Sequence, residues 1–324
     1  MRPVTFGSQL FVPPPAGTVV AVGNFDGVHA GHRALIAEAR RIAPEGAAVV
    51  ACTFDPAPTA VLAPDRHQPR ILRLGRRVER LGAAGVDAVV VEAFDAAFAA
   101  RPAAWFVDEV LVGRLGARAV VVGYDFCFGR GREGDAAWLR RERPLLRTVE
   151  LPACVRDGAT VSSSRLRRLI AHGELDAASR LMGRPHLLEG RVVPGDQRGR
   201  TLGFPTANLE CGVELLPPDG VYAVWVELPA ASAEASPTVE AGVMNIGQRP
   251  TFSRPGGPVM EHRIEVHLLD RNRDLYGAWL TVALMAKIRG EQRFTSVDAL
   301  VAQIRADVGE ARARLGAPDA GVFG

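Results

Sequence analysis

A chain of 324 residues, 48% hydrophobic and 23% charged, has the length for two cores and the composition of an ordinary globular protein. Its formal net charge of +3 is too small to argue for a nucleic-acid partner, and no apolar run approaches the ~20 residues of a membrane span. The four cysteines (Cys52, Cys127, Cys154 and Cys211) are scattered without a CxxC pair, so neither a zinc ribbon nor a redox pair is suggested. The opening MRPVTFGSQLFVPPPAG lacks a signal-peptide layout, so the expected location is the cytoplasm.

In chain order, residues 19–36 read VVAVGNFDGVHAGHRALI: a buried β-branched strand, a turn with Gly23 and Gly27, then a helix with Leu35, Ile36, Ala39 and Ile42 on one face. Residues 47–54, 87–94 and 118–124 read as further buried strands and 145–152 as a fifth, with a proline-rich loop at 55–69 and helical stretches around Val78 and Leu81 and over 105–115. Strands separated by helices predict βαβ units and a parallel sheet, whose ligands sit at the strands' carboxyl ends. Gly23-Asn24-Phe25-Asp26 and Gly123-Tyr124-Asp125-Phe126 both fall at such ends and are expected to face one site. The glycines of Gly129-x-Gly131 and Gly134 suggest a ligand loop. Ser162-Ser163-Ser164 precede a helix; a hydroxyl there is an N-cap, and with Arg165 and Arg167 it could also hold a triphosphate.

From Pro185 onward Gly and Pro become frequent and the intervening helices disappear. Residues 221–228, 240–246, 263–269 and 279–288 read as strands separated by turns, which favours a small antiparallel barrel or sandwich. Residues 230–237 read as a hairpin tip. Residues 296–315 read as a helix capped by Ser296, with Val297, Leu300, Val301, Ile304 and Val308 as its apolar face.

Two stretches carry chemistry. His29-x-x-His32 sits where a strand turns into a helix, and the helix N-terminus there favours an anion. HxGH in that place is the signature of nucleotidyltransferases, in which a phosphate attacks the α-phosphate of a nucleoside triphosphate and the protein aligns the reactants and stabilises charge. The second stretch is Gly199-Arg200-Thr201-Leu202-Gly203-Phe204-Pro205-Thr206-Ala207-Asn208. It is not a Walker A loop, yet Thr206 and Asn208 offer neutral oxygens on alternate residues, suited to Mg²⁺ held partly by ATP phosphates. Further on, Arg263, Glu265 and His267 share one face of a strand, ordinarily a solvated one. If that face lines a barrel mouth, Glu265 is placed to take a proton from an alcohol attacking ATP. Lys287, the only lysine, is the single candidate for a phosphate-binding ammonium.

Taken in order, GNFDGVHAGH, VVGYDFCFGRGREGD, VSSSRLR, GRTLGFPTAN, DGVYAV, MNIGQRPTF, IEVHLLD, DLYG and RGEQRF closely resemble the bacterial bifunctional riboflavin kinase/FMN adenylyltransferase family, over about residues 19–308. The resemblance implies a Rossmann-like α/β nucleotidyltransferase domain over 1–183 and an antiparallel β-barrel kinase domain with a terminal helix over 184–324. It implies ATP and Mg²⁺, the substrates riboflavin and FMN, and the products FMN and FAD, with no nucleic-acid or membrane partner. By resemblance, His29 and His32 stabilise the adenylyl-transfer transition state, and Gly23, Asn24, Phe25, Asp26, Gly123, Asp125, Ser164 and Arg165 line the nucleotide site. Gly203, Thr206 and Asn208 match the kinase's ATP and Mg²⁺ residues and Glu265 its catalytic base. Phe54, Asp55, Asn245, Arg249 and Arg289 fall in motifs near bound flavin. Many relatives read TFDPHP where this chain has Ala57 in place of the histidine. That substitution leaves as competing readings a kinase with a weakened adenylyltransferase and a flavin-binding protein without catalysis; intact His29, His32 and Glu265 speak against the last.

Overall fold

The computed structural model describes residues 4–323 except 67, 196–198, 200, 201, 213, 231–235, 252–258, 270–272, 319 and 320. The chain separates into two compact units, Met1–Ser163 and Ser164–Gly324.

The first unit runs β1 (Val4–Phe6), β2 (Thr18–Val22), α1 (Ala30–Ile42), β3 (Ala48–Asp55), α2 (Pro58–Leu62), α3 (Leu74–Ala83), β4 (Ala88–Ala93), α4 (Ala96–Ala99), α5 (Ala103–Trp105), β5 (Ala117–Gly123), α6 (Ala136–Glu142), β6 (Arg147–Leu151), and the short hairpin β7 (Val155–Arg156) and β8 (Ala159–Thr160). After α5 the chain winds on as a π-helix, Phe106–Arg114, where one helix was expected. The sheet order is β1-β4-β3-β2-β5-β6, and every pairing in it is parallel.

Strands β2, β3 and β4 are buried on both faces, which is why they read as unbroken apolar runs. Alternate residues go to opposite layers. Val20, Val22, Val50, Val90, Val120 and Val122 pack with Phe106, Val107 and Leu139. Val19, Ala21, Val49, Ala51, Val89 and Val121 pack with Leu35, Ile36 and Leu81. The edge strand β1 was not legible in the sequence; three residues, mostly exposed, leave no pattern. The expected strand over 145–152 begins at Arg147, with Leu145 left 98% exposed.

The second unit opens with α7 (Ser163–Ala171) and α8 (Leu175–Met182), followed by β9 (His186–Val193), β10 (Ala207–Cys211), β11 (Gly220–Leu228), β12 (Thr238–Thr251), β13 (Val259–Leu268), β14 (Trp279–Arg289) and α9 (Val297–Leu315). The compact units divide at Ser163, and Leu175 of α8 packs into the barrel core. The strands form a closed antiparallel barrel in the order β10-β13-β12-β11-β14-β9, with β9 pairing β10 to close it. Its interior is Leu188, Val192, Leu209, Tyr222, Val224, Val226, Met244, Ile246, Ile264, Val266, Leu280 and Val282. Closure removes the sheet edges, and with them the choice between barrel and sandwich that the strand pattern left open. Strands β9 and β10 were not anticipated. In β9 the polar His186 and Glu189 are buried, His186 against the Leu215 carbonyl and Glu189 beside Thr281, so no alternation survives.

α9 lies outside the barrel and corrects the expected face. Its buried positions are Asp307, Ala311 and Leu315, with Val308 partly covered, while Val297 is 60% exposed. Leu300, Val301 and Ile304 are half-buried, and the second half of the helix packs with Ala223, Trp225 and Ala283. Ser296 does cap it, accepting the Ala299 N–H at 3.1 Å.

Candidate active sites

In the first unit the strand order reverses between β2 and β5, and ligands of open α/β sheets bind at such a reversal. Gly23 follows β2 and Gly123 ends β5, so the two expected stretches flank one crevice. The turn from β2 into α1 is strained. Phe25 and Val28 hold positive φ, 51° and 39°, a region that non-glycine and above all β-branched residues avoid. Both side chains are buried in the core, and that packing holds the backbone there.

His29 caps α1, its Nδ1 accepting the His32 N–H at 3.4 Å. The two imidazoles stack at 3.6 Å with a 16° tilt, and Phe25 meets His32 edge-on at 5.2 Å. Burial, then the nearby Arg33, lowers the His29 pKa to about 4. Burial, then His29, Arg33 and Arg77, hold His32 well below the ordinary histidine value. Both rings are therefore neutral near pH 7, so they act as hydrogen-bond donors and acceptors rather than fixed charges. The first-turn N–H groups of α1 beside them have no intrahelical partner, as at any helix start.

The structure gives the neighbouring residues distinct places. Asn24 is exposed at the crevice. The Asp26 carboxylate is buried and accepts the N–H groups of Ile71 and Leu72 at 3.1 Å, so it pins the 71–72 segment rather than lying open to a nucleotide. The Phe25 ring is core, leaving only its backbone for a ligand. Phe54, expected near flavin, is 8% exposed in an aromatic cluster with Phe94, Phe98 and Phe106. Asp55 pairs with Arg70 at 2.5 Å. Asp125 is exposed at the end of β5. Ser164 and Arg165 open the second unit, and the preceding Ser163 donates to the Asp26 carbonyl at 2.8 Å.

In the 129–134 loop two of the three glycines are required by packing, and Gly131, with nothing near it, turns at φ 63°. A Cβ on Gly129 would meet the Ala103 backbone at 2.6 Å, one on Gly134 would meet the Phe128 ring at 2.6 Å, and Asp135 caps α6.

Arg77 was missed. It is 1% exposed, donates to the carbonyls of Asn24 (2.9 Å) and Phe54 (3.1 Å), and so ties the ends of β2 and β3 together beside the site. Burial and nearby Arg70 lower its pKa, while Asp26 and Asp55 act the other way. The available signal was its i, i+4 spacing from core Leu81, which puts an arginine on the apolar face of α3.

In the second unit the site lies on the barrel's outer wall rather than at its mouth. Ile264, Val266 and Leu268 of β13 point inward, so Arg263, Glu265 and His267 point outward. Register sets Glu265 directly opposite Asn208 on β10 and Asn245 on β12, side chains of one row across three strands. Gly199 and residues 202–206 fold over this wall. The Gly199 carbonyl accepts from Leu202 and Phe204, the His267 ring nitrogen bonds the Pro205 carbonyl at 2.8 Å, and Phe204 meets His267 edge-on. Gly203 turns at φ 86°. A Cβ on Gly199 would collide with the Phe204 carbonyl, and one on Gly195 would come within 2.0 Å of the Asn208 amide, so Gly195 makes room for an expected ligand. Arg263 donates from Nε to Asn208 at 3.1 Å and pairs with Glu265 at 3.0 Å.

Other expected residues stand elsewhere. Arg289 is committed to the Asp307 carboxylate at 2.8–3.1 Å and ties β14 to α9. Lys287 donates to the Asp219 carbonyl at 3.0 Å over the Tyr222 ring, which corrects its reading as a phosphate ligand. The Tyr222 hydroxyl, pushed up to about 12 by burial and then by Asp219, donates to the Pro218 carbonyl. Arg249 pairs through its backbone with Glu261; its side chain, like Arg200 and Thr201, lies outside the described residues. A cavity of about 730 Å³ at Thr238, Glu240, Arg273, Arg312 and Leu315 holds none of the expected residues. Among the described residues no cluster of three or more His, Cys, Asp or Glu could hold a metal, and no helix is long and apolar enough to cross a membrane. A cation at Thr206 and Asn208 would thus draw further ligands from phosphate oxygens, which fits their neutral oxygens.

Comparison with known proteins matches each half separately. Residues 13–165 match the FAD synthetase family model and residues 182–315 the riboflavin kinase model. The bifunctional riboflavin kinase/FMN adenylyltransferase of Escherichia coli K12 is 41% identical over 301 residues, 91% of each chain. The enzyme of that name from Pseudomonas fluorescens is 41% identical over 95% of this chain and 96% of its own. A Streptococcus pneumoniae structure titled macrolide-efflux protein superposes with a TM-score of 0.83 at 31% identity, covering 95% of this chain and 98% of that one. With both halves matched and such identity over nearly its whole length, the chain belongs to the bifunctional riboflavin kinase/FMN adenylyltransferase family.

Proposed function

We propose that the two units divide the family's two reactions, with the adenylyl-transfer residues in the first and the kinase residues in the second. At the β2–β5 crevice the FMN phosphate oxygen attacks the α-phosphate of ATP, and pyrophosphate leaves with the electrons of the broken P–O bond. The protein supplies alignment and charge stabilisation. Neutral His29 and His32, with the α1 N-terminus, donate N–H to phosphate oxygens; Asn24, Asp125 and the backbone at Gly23 and Gly123 line the nucleotide. On the barrel wall Glu265 accepts the proton of the riboflavin hydroxyl that attacks the γ-phosphate of ATP, giving FMN and ADP. Thr206 and Asn208 would hold Mg²⁺ together with ATP phosphates, and that ion would neutralise charge on them. Helices α7 and α8 then join the two functions, with the kinase proper beginning near residue 184.

The observation that carries the reading is the row Asn208–Glu265–Asn245 across three strands. The test is flavin product analysis by chromatography with riboflavin, ATP and Mg²⁺. His29→Ala is expected to stop FAD formation, by at least about 10²-fold, and to leave FMN formation intact. Glu265→Gln is expected to stop FMN formation by a similar factor and to leave FAD formation from supplied FMN intact. Equal loss of both steps in either variant contradicts two separate sites.

A further inference from the structure

In the barrel unit one guanidinium touches both groups to which the kinase reading gives work. Arg263 stands two residues before Glu265 on the same outward face of β13, and Asn208 is Glu265's direct partner on β10. The fork divides between them, Nε to Asn208 Oδ1 at 3.1 Å and the second terminal nitrogen to Glu265 Oε1 at 3.0 Å. Arg263 and Glu265 are 28% and 25% exposed, so the pair is shielded but reachable from solvent. We propose that Arg263 is the resident cation of the phosphoryl-transfer site, a positioning residue that holds Asn208 and Glu265 in the nucleotide-free protein and is displaced when a metal–nucleotide complex binds.

The argument rests on the reading of Asn208 and Glu265 given above and on three physical points. A planar fork fixes the direction of both acceptors, which a flexible ammonium would not. A carboxylate oxygen occupied by a guanidinium N–H is not open to a substrate hydroxyl, so this contact belongs to the resting state. Two cations at one carboxamide oxygen and its neighbouring carboxylate repel, so Arg263 and a divalent ion exclude each other there. The collision awaiting any Cβ at Gly195 shows how closely the Asn208 side chain is seated, which makes its orientation worth holding.

The experiment compares wild type with Arg263→Met, which keeps the apolar stem and removes the charge. Thermal unfolding of the nucleotide-free protein is followed with and without millimolar Mg²⁺, and the half-saturating Mg²⁺ for FMN formation is measured. Without metal the variant is expected to melt earlier. With Mg²⁺ it recovers part of that loss while wild type does not shift, and its half-saturating Mg²⁺ falls about threefold or more. An unchanged Mg²⁺ response in both measurements overturns the proposal. FAD formation from supplied FMN checks that the chain is folded. If Arg263→Met does not fold, Arg263→Gln, which is also uncharged, carries the same titration, and a Mg²⁺ response equal to wild type then overturns the proposal. Asn208→Ala separates the two failures: if it leaves FMN formation intact, the site reading falls; if it stops FMN formation while the arginine variants respond to Mg²⁺ as wild type does, only the Arg263 inference falls.

Discussion

The two sites are built in opposite ways. In the first unit the working surface is largely backbone: two strand ends, a turn forced to positive φ, and a helix start capped by a buried neutral histidine. In the second it is side chains from three neighbouring strands on a barrel's outer wall, brought together by register, with charges already paired. A backbone site is written in one local stretch and is rigid because its apolar neighbours are core. A register site is spread over some sixty residues of sequence and depends on which strands meet. The first should therefore fail through packing and burial, the second through displacement of single side chains.

Arg77→Met is the strongest way to break the first. It removes the donor shared by the Asn24 and Phe54 carbonyls; Asn24 keeps the Thr53 hydroxyl while Phe54 loses its side-chain donor, at a cost of about 2 kcal/mol. FAD formation from FMN is expected to collapse and the first unit to unfold earlier in urea, with FMN formation kept. If FAD formation survives at wild-type rate, the strand ends do not need their clamp. Next comes pH. Burial lowers the His29 pKa from the ordinary 6.5 to about 4, so between those values the unfolded chain binds more protons than the folded one. Stability attributable to His29 is complete above about pH 6.5 and is lost as pH falls toward 4, by about 3 kcal/mol at most. Urea midpoints measured from pH 7 to pH 4.5 should show this fall, and His29→Gln should reduce it while leaving the part that belongs to His32. In the barrel, Gly195→Ala tests displacement. A Cβ within 2.0 Å of the Asn208 amide forces that side chain away. Riboflavin phosphorylation is expected to drop by about ten- to a hundredfold, with FAD formation from FMN unchanged.

The same contrast explains what the sequence disclosed. The strand–turn–helix around His29 was legible because its signals are adjacent: apolar run, glycines, histidines, helical period. Within it the jobs were not. Asp26 looks like a ligand but pins the backbone at Ile71 and Leu72, and Phe54 looks like a flavin contact but is core; both facts depend on distant elements. Arg77 was invisible because a buried arginine runs against composition, and only its carbonyl partners explain it. In the barrel, Glu265's shared face with Arg263 and His267 could be counted off, but that Asn208 and Asn245 stand opposite it could not. Resemblance supplied that association before the register gave it a cause. In the terminal helix, periodicity named an apolar stripe whose Val308 packs on the wall, but not that Val297 at its start stays exposed.

The smallest expected effect bears on the one departure from the family pattern that touches the backbone-built site. Ala57 precedes α2, half-buried, and makes no side-chain cap; its carbonyl accepts the Ala60 N–H at 2.8 Å. Among the described residues no hydrogen bond joins it to His29, His32, Asn24 or Arg77. If that site is sustained by strand ends and the α1 turn, restoring an imidazole adds nothing that the transition state lacks. Ala57→His should therefore change kcat/KM for FAD formation by no more than about twofold, under 0.5 kcal/mol. Steady-state kinetics with FMN and ATP varied in turn checks this. A gain of about tenfold or more would mean that the missing histidine had been part of the machinery, that this chain's adenylyl transfer is weakened, and that the first site, like the second, depends on a side chain brought from a distant stretch.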